Sequence, residues 1–321
     1  MDQYYLGVDV GSVSTDLALI DDNEKLLEKV YLRTKGQPIK VIKKGLKQIQ
    51  NKHSNFEIVG AGATGSGRKL SGVVLGADVV KNEITAHSVA ASNLIPEVKT
   101  VLEIGGQDSK IIIIRDGVAV DFAMNSVCAA GTGSFLEQQA SRLEIPIEEF
   151  GDYALKAEST VRIAGRCSVF AESDMIHKQQ MGHDVAEIVS GLCDAMVRNY
   201  LNNVGKGKDI QAPIVFQGGV AANIGIKKAF EKELETDIIV PKHYDVMGAI
   251  GAAMLAKEKI ERNKNQTTQF RGFSITNFDY QTESFECDGC SNRCEIINIY
   301  QDEELLARWG GKCPRWEADA V

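Results

Sequence analysis

The chain has 321 residues, 44% of them hydrophobic and 25% charged, with 36 basic against 44 acidic residues and a net charge of −8. That length exceeds one small core, and the acidic balance argues against nonspecific binding to nucleic acid or a membrane surface. No apolar run approaches the roughly 20 residues of a membrane span, and the N-terminal Met-Asp-Gln-Tyr-Tyr lacks the basic and apolar regions of a signal peptide, so a cytoplasmic protein without nucleic-acid or membrane partners is expected.

Tyr4 to Val10 reads as an apolar strand, Gly11-Ser-Val-Ser-Thr15 as a tight polar turn, and Asp16 to Ile20 as a second strand. The turn bears an acid (Asp9), a glycine and three hydroxyls. Glycine lets backbone N–H groups approach a phosphate, hydroxyls donate to it, and an acid can hold Mg²⁺; an ordinary hairpin turn is the plain alternative. Ile39 to Ile49 has apolar residues at helical spacing and a lysine-rich opposite face. A strand at Phe56–Val59 then leads into Gly60-Ala-Gly-Ala-Thr-Gly65, which matches the dinucleotide fingerprint with Glu83 downstream. The match is weak: small flexible positions fall where the helix should start, and this is the second βα unit of the chain rather than the first. Lys81 to Leu94 reads as a helix on which His87 is a buried or helix-face residue rather than a ligand. Thr100 to Ile104 is a strand, Gly105-Gly-Gln-Asp-Ser-Lys110 a second polar turn, and residues 111–122 a further β run. Strand, glycine/acid/hydroxyl turn and strand thus occur twice, about 95 residues apart. Two such phosphate-holding hairpins from like halves can face one another across a cleft.

Seven cysteines in a chain of this kind suggest reduced thiols doing metal or redox work. Cys128, in Asn125-Ser-Val-Cys-Ala-Ala-Gly-Thr-Gly133, and Cys167, in Ala164-Gly-Arg-Cys-Ser-Val-Phe-Ala-Glu-Ser173, each follow a small-residue turn and precede a predicted helix. The positive end of a helix favours thiolate, the form that binds metal. Two thiolates are too few for a tetrahedral site or an iron–sulfur cluster, and a two-fold dimer would supply four. Cys193 lies on an apolar helix face and reads as a buried, inert thiol. After a strand at Pro213–Phe216 comes a third glycine turn, Gln217-Gly-Gly-Val-Ala-Ala-Asn223, then a strand at Asp237–Pro241 and a small-residue helix from Tyr244. In the tail, Cys287, Cys290, Cys294 and Cys313 form their own set of four, spaced for zinc or an iron–sulfur cluster. The expected organisation is a first subdomain at 1–97 completed by a helix at 245–258, a second at 98–244 carrying Cys128 and Cys167, a linker at 259–272 and a cysteine module at 273–321.

The three turns, Gly7-Val-Asp-Val-Gly-Ser-Val-Ser-Thr15, Glu103-Ile-Gly-Gly-Gln-Asp-Ser-Lys110 and Phe216-Gln-Gly-Gly-Val-Ala-Ala-Asn223, look like the phosphate-1, phosphate-2 and adenosine motifs of the actin/hexokinase/Hsp70 (ASKHA) ATPase fold. That is an α/β fold of duplicated ribonuclease-H-like domains, here with a small C-terminal cysteine-rich module. Together with the two cysteine segments they resemble the activators of 2-hydroxyacyl-CoA dehydratases, the BadF/BadG/BcrA/BcrD ATPase family, over residues 4–256; the tail is similar to an extension of larger activase-like proteins. The resemblance implies a homodimer with one 4Fe-4S cluster held by Cys128 and Cys167 of each chain, and ATP and Mg²⁺ in each protomer. It further implies ATP-driven transfer of one low-potential electron from a ferredoxin or flavodoxin to an iron–sulfur acceptor, such as a 2-hydroxyacyl-CoA dehydratase or a double-cubane cluster protein. On this pattern Asp9 holds Mg²⁺. Gly11, Ser12, Ser14 and Thr15 wrap the phosphates from one side, and Gly105, Gly106 and Ser109 from the other. Gln107 or Asp108 orients the attacking water, with Gln107 favoured because its amide both donates and accepts. Gly218, Gly219 and Asn223 border the adenosine, and Gly131-Thr132-Gly133 joins cluster to nucleotide. Two rivals are a sugar-type small-molecule kinase of the same fold, with Asp108 as base, and a zinc-stabilised scaffold.

Overall fold

The computed structural model describes residues 2–53, 56–125, 127–263 and 267–316. The chain divides into two compact units, Met1–Gly11, Thr15–Asn82 and Ala252–Val321 in the first, and Ser12–Ser14 with Glu83–Gly251 in the second.

The first unit begins with β1 (Asp2–Val10), β2 (Ser14–Ile20), β3 (Leu26–Arg33), α1 (Pro38–Lys52), β4 (Phe56–Thr64), α2 (Arg68–Leu75) and β5 (Val79–Val80). Their sheet has the order β3-β2-β1-β4-β5. β1 and β2 form an antiparallel hairpin, whereas β1 and β4 run parallel. A parallel neighbour needs a crossover, and α1 supplies it. Thr15 to Ile20 is buried throughout, the pattern of a strand covered on both faces.

The second unit carries α3 (Glu83–Leu94), β6 (Thr100–Ile104), β7 (Ser109–Arg115), β8 (Val118–Asn125), α4 (Gly133–Arg142), α5 (Phe150–Leu155), α6 (Ser168–Gln180), α7 (Val185–Tyr200), β9 (Ile214–Gln217), α8 (Ile224–Leu234) and β10 (Ile238–Ile239). Its sheet runs β10-β9-β6-β7-β8, with β6, β7 and β8 antiparallel and β9 and β10 parallel to β6. Counted within each unit, both sheets have the order third, second, first, fourth, fifth strand. The duplication read from the turns is therefore a duplication of whole sheets. The second crossover, from β8 to β9, is far longer than the first and contains α4 to α7 with both cysteine segments. Its core is aromatic: Tyr200, Phe135, Phe150, Phe216 and Phe230 are fully buried, and the Phe230 ring meets those of Tyr200 and Phe216 edge-on at 5.2 Å.

Small residues allow the close approaches of α9 (Met247–Arg262). A Cβ on Gly251 would fall 1.9 Å from the Ala86 carbonyl oxygen, and one on Gly62 of β4 would fall 2.1 Å from that of Ala252. Helix α9 runs four residues into the segment expected as a linker from 259, because its apolar spacing continues through Ile260. Residues 264–266 of that segment lie outside the described residues. Beyond them the chain is tied down: the Thr268 hydroxyl and Gln269 N–H donate to Asp78 at 2.7 Å, and the Arg271 N–H donates to the Leu75 carbonyl at 3.0 Å. The tail then forms an antiparallel sheet that the sequence reading did not anticipate, β11 (Tyr280–Glu286), β12 (Glu295–Gln301) and β13 (Glu304–Trp309). Ile299 and Ala307 pack on Val74 of α2, with Ile39, Leu70 and Tyr280 around them. The module thus belongs to the first unit.

Gly62→Ala is expected to destabilise the protein by about 2 kcal/mol or more, since the clash is with backbone rather than a movable side chain. Urea unfolding measures it, and a loss below about 0.5 kcal/mol would contradict the packing described.

Candidate functional site

In the first unit the β1–β2 hairpin closes with Val10 opposite Thr15 and Asp9 opposite Asp16. Thr15 is buried, and its hydroxyl bonds to that of Thr34 at 2.9 Å; Thr34 in turn donates to the Gly11 carbonyl at 3.1 Å. Since the Thr34 proton goes to Gly11, Thr15 is the donor in the pair, and it braces the turn from below. Ser12 is exposed and Gly11 and Ser14 are half-buried. Residues 65–67 support the hairpin from the side. The Gly67 N–H donates to the Val10 carbonyl at 2.8 Å. Gly65, at φ +93°, lies so close that a Cβ would fall 2.4 Å from Asp9 Oδ1. This explains the glycines that resemble a dinucleotide fingerprint. Gly60 and Gly62 lie inside β4, packed against α9, and Gly65 makes room for Asp9, so the dinucleotide reading is excluded.

In the second unit Gly105 to Asp108 turn between β6 and β7, closed by the Gly105 N–H donating to the Asp108 carbonyl at 3.0 Å. Gln107 is exposed at the tip. Directly behind lies Lys110, 2% exposed, with its Nζ 2.7 Å from Glu83, 2.9 Å from Glu103 and 3.0 Å from Asp108. Burial works against the Lys110 charge, but the three carboxylates outweigh it and hold its pKa well above the lysine range. Burial also pushes Glu103 up to about 7 against the pull of Lys110. Both partners of this pair shift upward because one ammonium is shared by three carboxylates and Glu103 is the most deeply buried of them. We take Lys110 as charged. The sequence reading names Asp108 and Ser109 as site residues but gives no role to Lys110 or Glu103, and it has Glu83 only as the acid of the dinucleotide fingerprint excluded above. The Glu103–Lys110 pair faces across neighbouring strands in register, a signal visible only once the hairpin is paired.

Helix α4 begins on this turn. The Gly133 N–H donates to the Gly105 carbonyl at 2.9 Å, and Ser134 donates to the Gly106 carbonyl through its N–H at 2.8 Å and its hydroxyl at 2.6 Å. Ser134 is a further residue that sequence reasoning missed. The third turn reaches the same place. Gly218, at φ +89°, leaves its Cβ position 2.4 Å from the Ile104 carbonyl oxygen and 2.7 Å from Glu103 Oε1. Gln217 before it is held by His87, whose Nδ1 accepts from the amide at 2.8 Å. Burial, with Lys110 adding to it and Glu83 opposing, lowers the His87 pKa to about 3, so the ring is neutral. Asn223 caps α8, accepting from the Ile226 N–H at 3.0 Å. The turns at 105–106, 131–134 and 218–220 therefore meet. A Cβ on Gly131, Gly133 or Gly218 would press on the neighbouring segment, so glycine lets the three backbones close on one another. Half-buried Gly105 and Gly106 with exposed Gly219 present backbone at their junction, residues that fit a nucleotide.

Cys167 is the N-cap residue of α6, as expected. Cys128 differs: a 3₁₀ turn at Ala129–Gly131 separates it from α4, whose N-cap is Thr132, because the first amides of α4 are drawn onto Gly105 and Gly106. The Asn125 side chain frames Cys128, accepting from its N–H at 3.0 Å and donating to its carbonyl at 2.9 Å. Both thiols are free and half-buried. Beside them Val127 is 95% exposed, Val169 66% and Phe170 65%. Two thiols per chain, flanked by exposed apolar side chains, fit ligands shared with a second copy. Cys193 is buried and its thiol is pushed well above the usual range by burial, so it is inert. In the tail the Cys287 sulfur accepts from Trp316 Nε1 at 3.0 Å and the Gly289 N–H at 3.4 Å, and these donors lower its pKa. Cys294 is half-buried, while Cys290 and Cys313 are exposed. Among the described residues no three His, Cys, Asp or Glu side chains are grouped to hold a metal.

Paired sheets of identical order, each with a glycine turn at its first hairpin, define an actin/hexokinase-like fold. The chain belongs to the BadF/BadG/BcrA/BcrD ATPase family, whose model matches residues 6–256. It is 35% identical to the (R)-2-hydroxyglutaryl-CoA dehydratase activating ATPase of Acidaminococcus fermentans, over 81% of this chain and 99% of that protein. It is 34% identical to an activator of lactoyl-CoA dehydratase from Anaerotignum propionicum, over 81% and 99%. Its structure resembles the activator of the 2-hydroxyisocaproyl-CoA dehydratase from Clostridium difficile with bound ADPNP, with a TM-score of 0.74 at 30% identity over 82% of this chain and 98% of that one. The β11–β13 module lies outside the family match. No helix among the described residues is long and apolar enough to cross a membrane.

Neutral His87 carries a pH signature. Its folded pKa of about 3 lies below the ordinary 6.5, so its stabilising contribution is fully present above pH 6.5 and is lost as pH falls toward 3. Acidification from about pH 7 to 5 is expected to cost ~2 kcal/mol through this residue. Denaturant titrations of wild type and His87→Asn check it: the variant keeps an acceptor for Gln217 and lacks that part of the pH slope.

Proposed function

We propose that this protein is an ATP-driven activator that delivers one electron at low potential to an iron–sulfur partner; its relatives are named as activating ATPases or activators of 2-hydroxyacyl-CoA dehydratases, which supports the activator part of the reading. The observation that supports the reading is the bonding of the α4 amides to Gly105 and Gly106, which ties the Cys128 segment to the turn that this reading assigns to phosphate. Gly11, Ser12 and Ser14 contact phosphate from the first hairpin, with Thr15 as the brace beneath them, and Asp9 holds Mg²⁺. Gly105, Gly106 and Ser109 serve from the second hairpin, and Gly218 and Gly219 border the adenosine. Asn223 acts through the helix it caps.

Gln107 orients the attacking water. It is exposed at the turn tip, whereas Asp108 is engaged by Lys110 at 3.0 Å. The same ion pair counts against the sugar-kinase reading, which needs Asp108 as an available base. Cys128 and Cys167 of two copies supply four thiolates, and a 4Fe-4S cluster bound there would provide a one-electron couple at low potential. The chain's own part is to hold the Cys128 thiol at the end of a segment that rests on the Gly105–Gly106 turn, and the Cys167 thiol at the start of α6. A ferredoxin or flavodoxin is the donor in this reading. Cys287, Cys290, Cys294 and Cys313 would hold a second metal or cluster only on drawing together, since among the described residues they are not grouped as a metal site.

Gln107→Ala is expected to lower ATP turnover about 100-fold with ATP affinity little changed; single-turnover hydrolysis with a separate binding titration measures both. A matching loss of affinity would reassign Gln107 to ground-state binding. Cys128→Ala is expected to lose the core iron of anaerobically reconstituted protein while retaining nucleotide binding, and full core iron in that variant would remove the cysteine assignment.

A further inference from the structure

The two cysteine segments are separated in the long crossover, yet both rest on α7. A Cβ on Gly191 of α7 would fall 2.2 Å from the Val161 carbonyl oxygen, and one on Gly165 would fall 2.7 Å from that of Ala195. The stretch 161–165 before Cys167 therefore lies against the helix with no side chain between. Arg198 fastens it by donating to the Ile163 carbonyl at 2.7 Å, and Asp174 of α6 accepts from the Ala164 N–H at 2.8 Å.

Asn199 is the next residue on α7, only 3% exposed. Its Nδ2 donates to the Gly165 carbonyl at 2.5 Å, and its Oδ1 accepts from Asn203 Nδ2 at 2.9 Å. That same Oδ1 would lie 2.8 Å from a Cβ on Gly131, with the Asn125 amide 3.7 Å from the same point. Gly131 must therefore be glycine, and its backbone abuts the Asn199 amide. One buried side chain thus touches the Cys128 segment on one side and bonds to the Cys167 segment on the other. The Gly165 carbonyl fixes its orientation, because a carbonyl only accepts and so takes the Nδ2 end, which leaves Oδ1 for Asn203. Two residues after Gly131, the Gly133 amide is on the phosphate turn.

We propose that Asn199 is a positioning residue that keeps the Cys167 segment in register with the nucleotide-contacting Cys128 segment, so that a shift of the turn at 105–106 reaches both thiols together. This rests on the reading of that turn as a phosphate site and of Cys128 and Cys167 as ligands. An asparagine that merely filled a core position would affect stability without separating the reactivities of the two cysteines.

The test uses the full-length, reduced, iron-free protein and Asn199→Asp. The variant keeps the size of the side chain and the acceptor for Asn203 but sets a carboxylate oxygen against the Gly165 carbonyl. Iodoacetamide labelling rates of Cys128 and Cys167 are read by peptide mass spectrometry, with and without ADPNP, alongside unfolding temperature and ADPNP affinity. Without nucleotide, Cys167 in the variant is expected to label about tenfold faster than in wild type, the factor that loss of one hydrogen bond carries, and Cys128 to stay within about twofold. With ADPNP, the wild type changes at both cysteines and the variant at Cys128 alone. Unchanged Cys167 labelling with wild-type ADPNP responses overturns the proposal by itself, as does equal acceleration of both cysteines with a lowered unfolding temperature. A wild type that binds no ADPNP overturns the functional reading and this proposal with it. Should Asn199→Asp not fold, Asn203→Ala, which removes the donor to Asn199 Oδ1 from its exposed side, provides the same contrast, expected at about threefold.

Discussion

The first amides of α4 donate to the carbonyls of Gly105 and Gly106 rather than to a capping side chain. A helix leaves its first N–H groups without partners inside the helix, and some other part of the structure must take them. Here the takers are the backbone oxygens of the glycine turn between β6 and β7. Much of the second unit follows from that. Glycine at 133 eases the approach, since a Cβ there would press on the Gly105 oxygen at 3.0 Å. Cys128 is set back from the helix by a 3₁₀ turn, and Asn125 rather than the helix end frames it. Anything that moves the turn moves the backbone leading to the thiol.

The turn is itself held from behind by a buried charge cluster that joins three elements: Glu83 from α3, Glu103 from β6, and Asp108 with Lys110 around the hairpin. Taking such charges out of water is costly, and removing one partner leaves the others uncompensated. The cluster contributes little net stability by this argument, but it specifies one position for the hairpin. Its upward pull on Lys110 and the upward push of burial on Glu103 express the same imbalance of one cation against three acids. His87 extends the arrangement to Gln217, so the second and third turns share a common buried support.

Much of the fold was legible in the sequence. The strand pairs stood out as apolar runs punctuated by glycine turns, and the repeat of that pattern corresponds to two sheets of one order. Helix α2 was obscured by Gly67 and Gly72, which argue locally against a helix but sit where Val10 and Val80 approach too closely for any side chain. The tail sheet was obscured because β11, Tyr280–Glu286, is exposed along nearly its whole length and carries no apolar periodicity. At the site, residue types named the turns, since glycine, acid and hydroxyl announce phosphate chemistry locally. The roles of Lys110, Ser134 and Asn199 were not legible, because each depends on a partner brought from a distant part of the chain. Thr15 and Asn223 have the composition of ligands, and only their partners, Thr34 and Ile226, show their hydroxyl and amide to be structural.

The central claim is that two thiols in each chain meet two in a second copy to hold one redox centre. It is tested most directly in a variant with Cys287, Cys290, Cys294 and Cys313 all replaced by serine, reconstituted with iron and sulfide without oxygen and weighed intact by native mass spectrometry. The account predicts a dimer carrying about four iron atoms, because Cys128 and Cys167 are then the half-buried thiols left beside buried Cys193, and each chain supplies half of the four ligands. An iron-free species, or a monomer that binds iron alone, would contradict it.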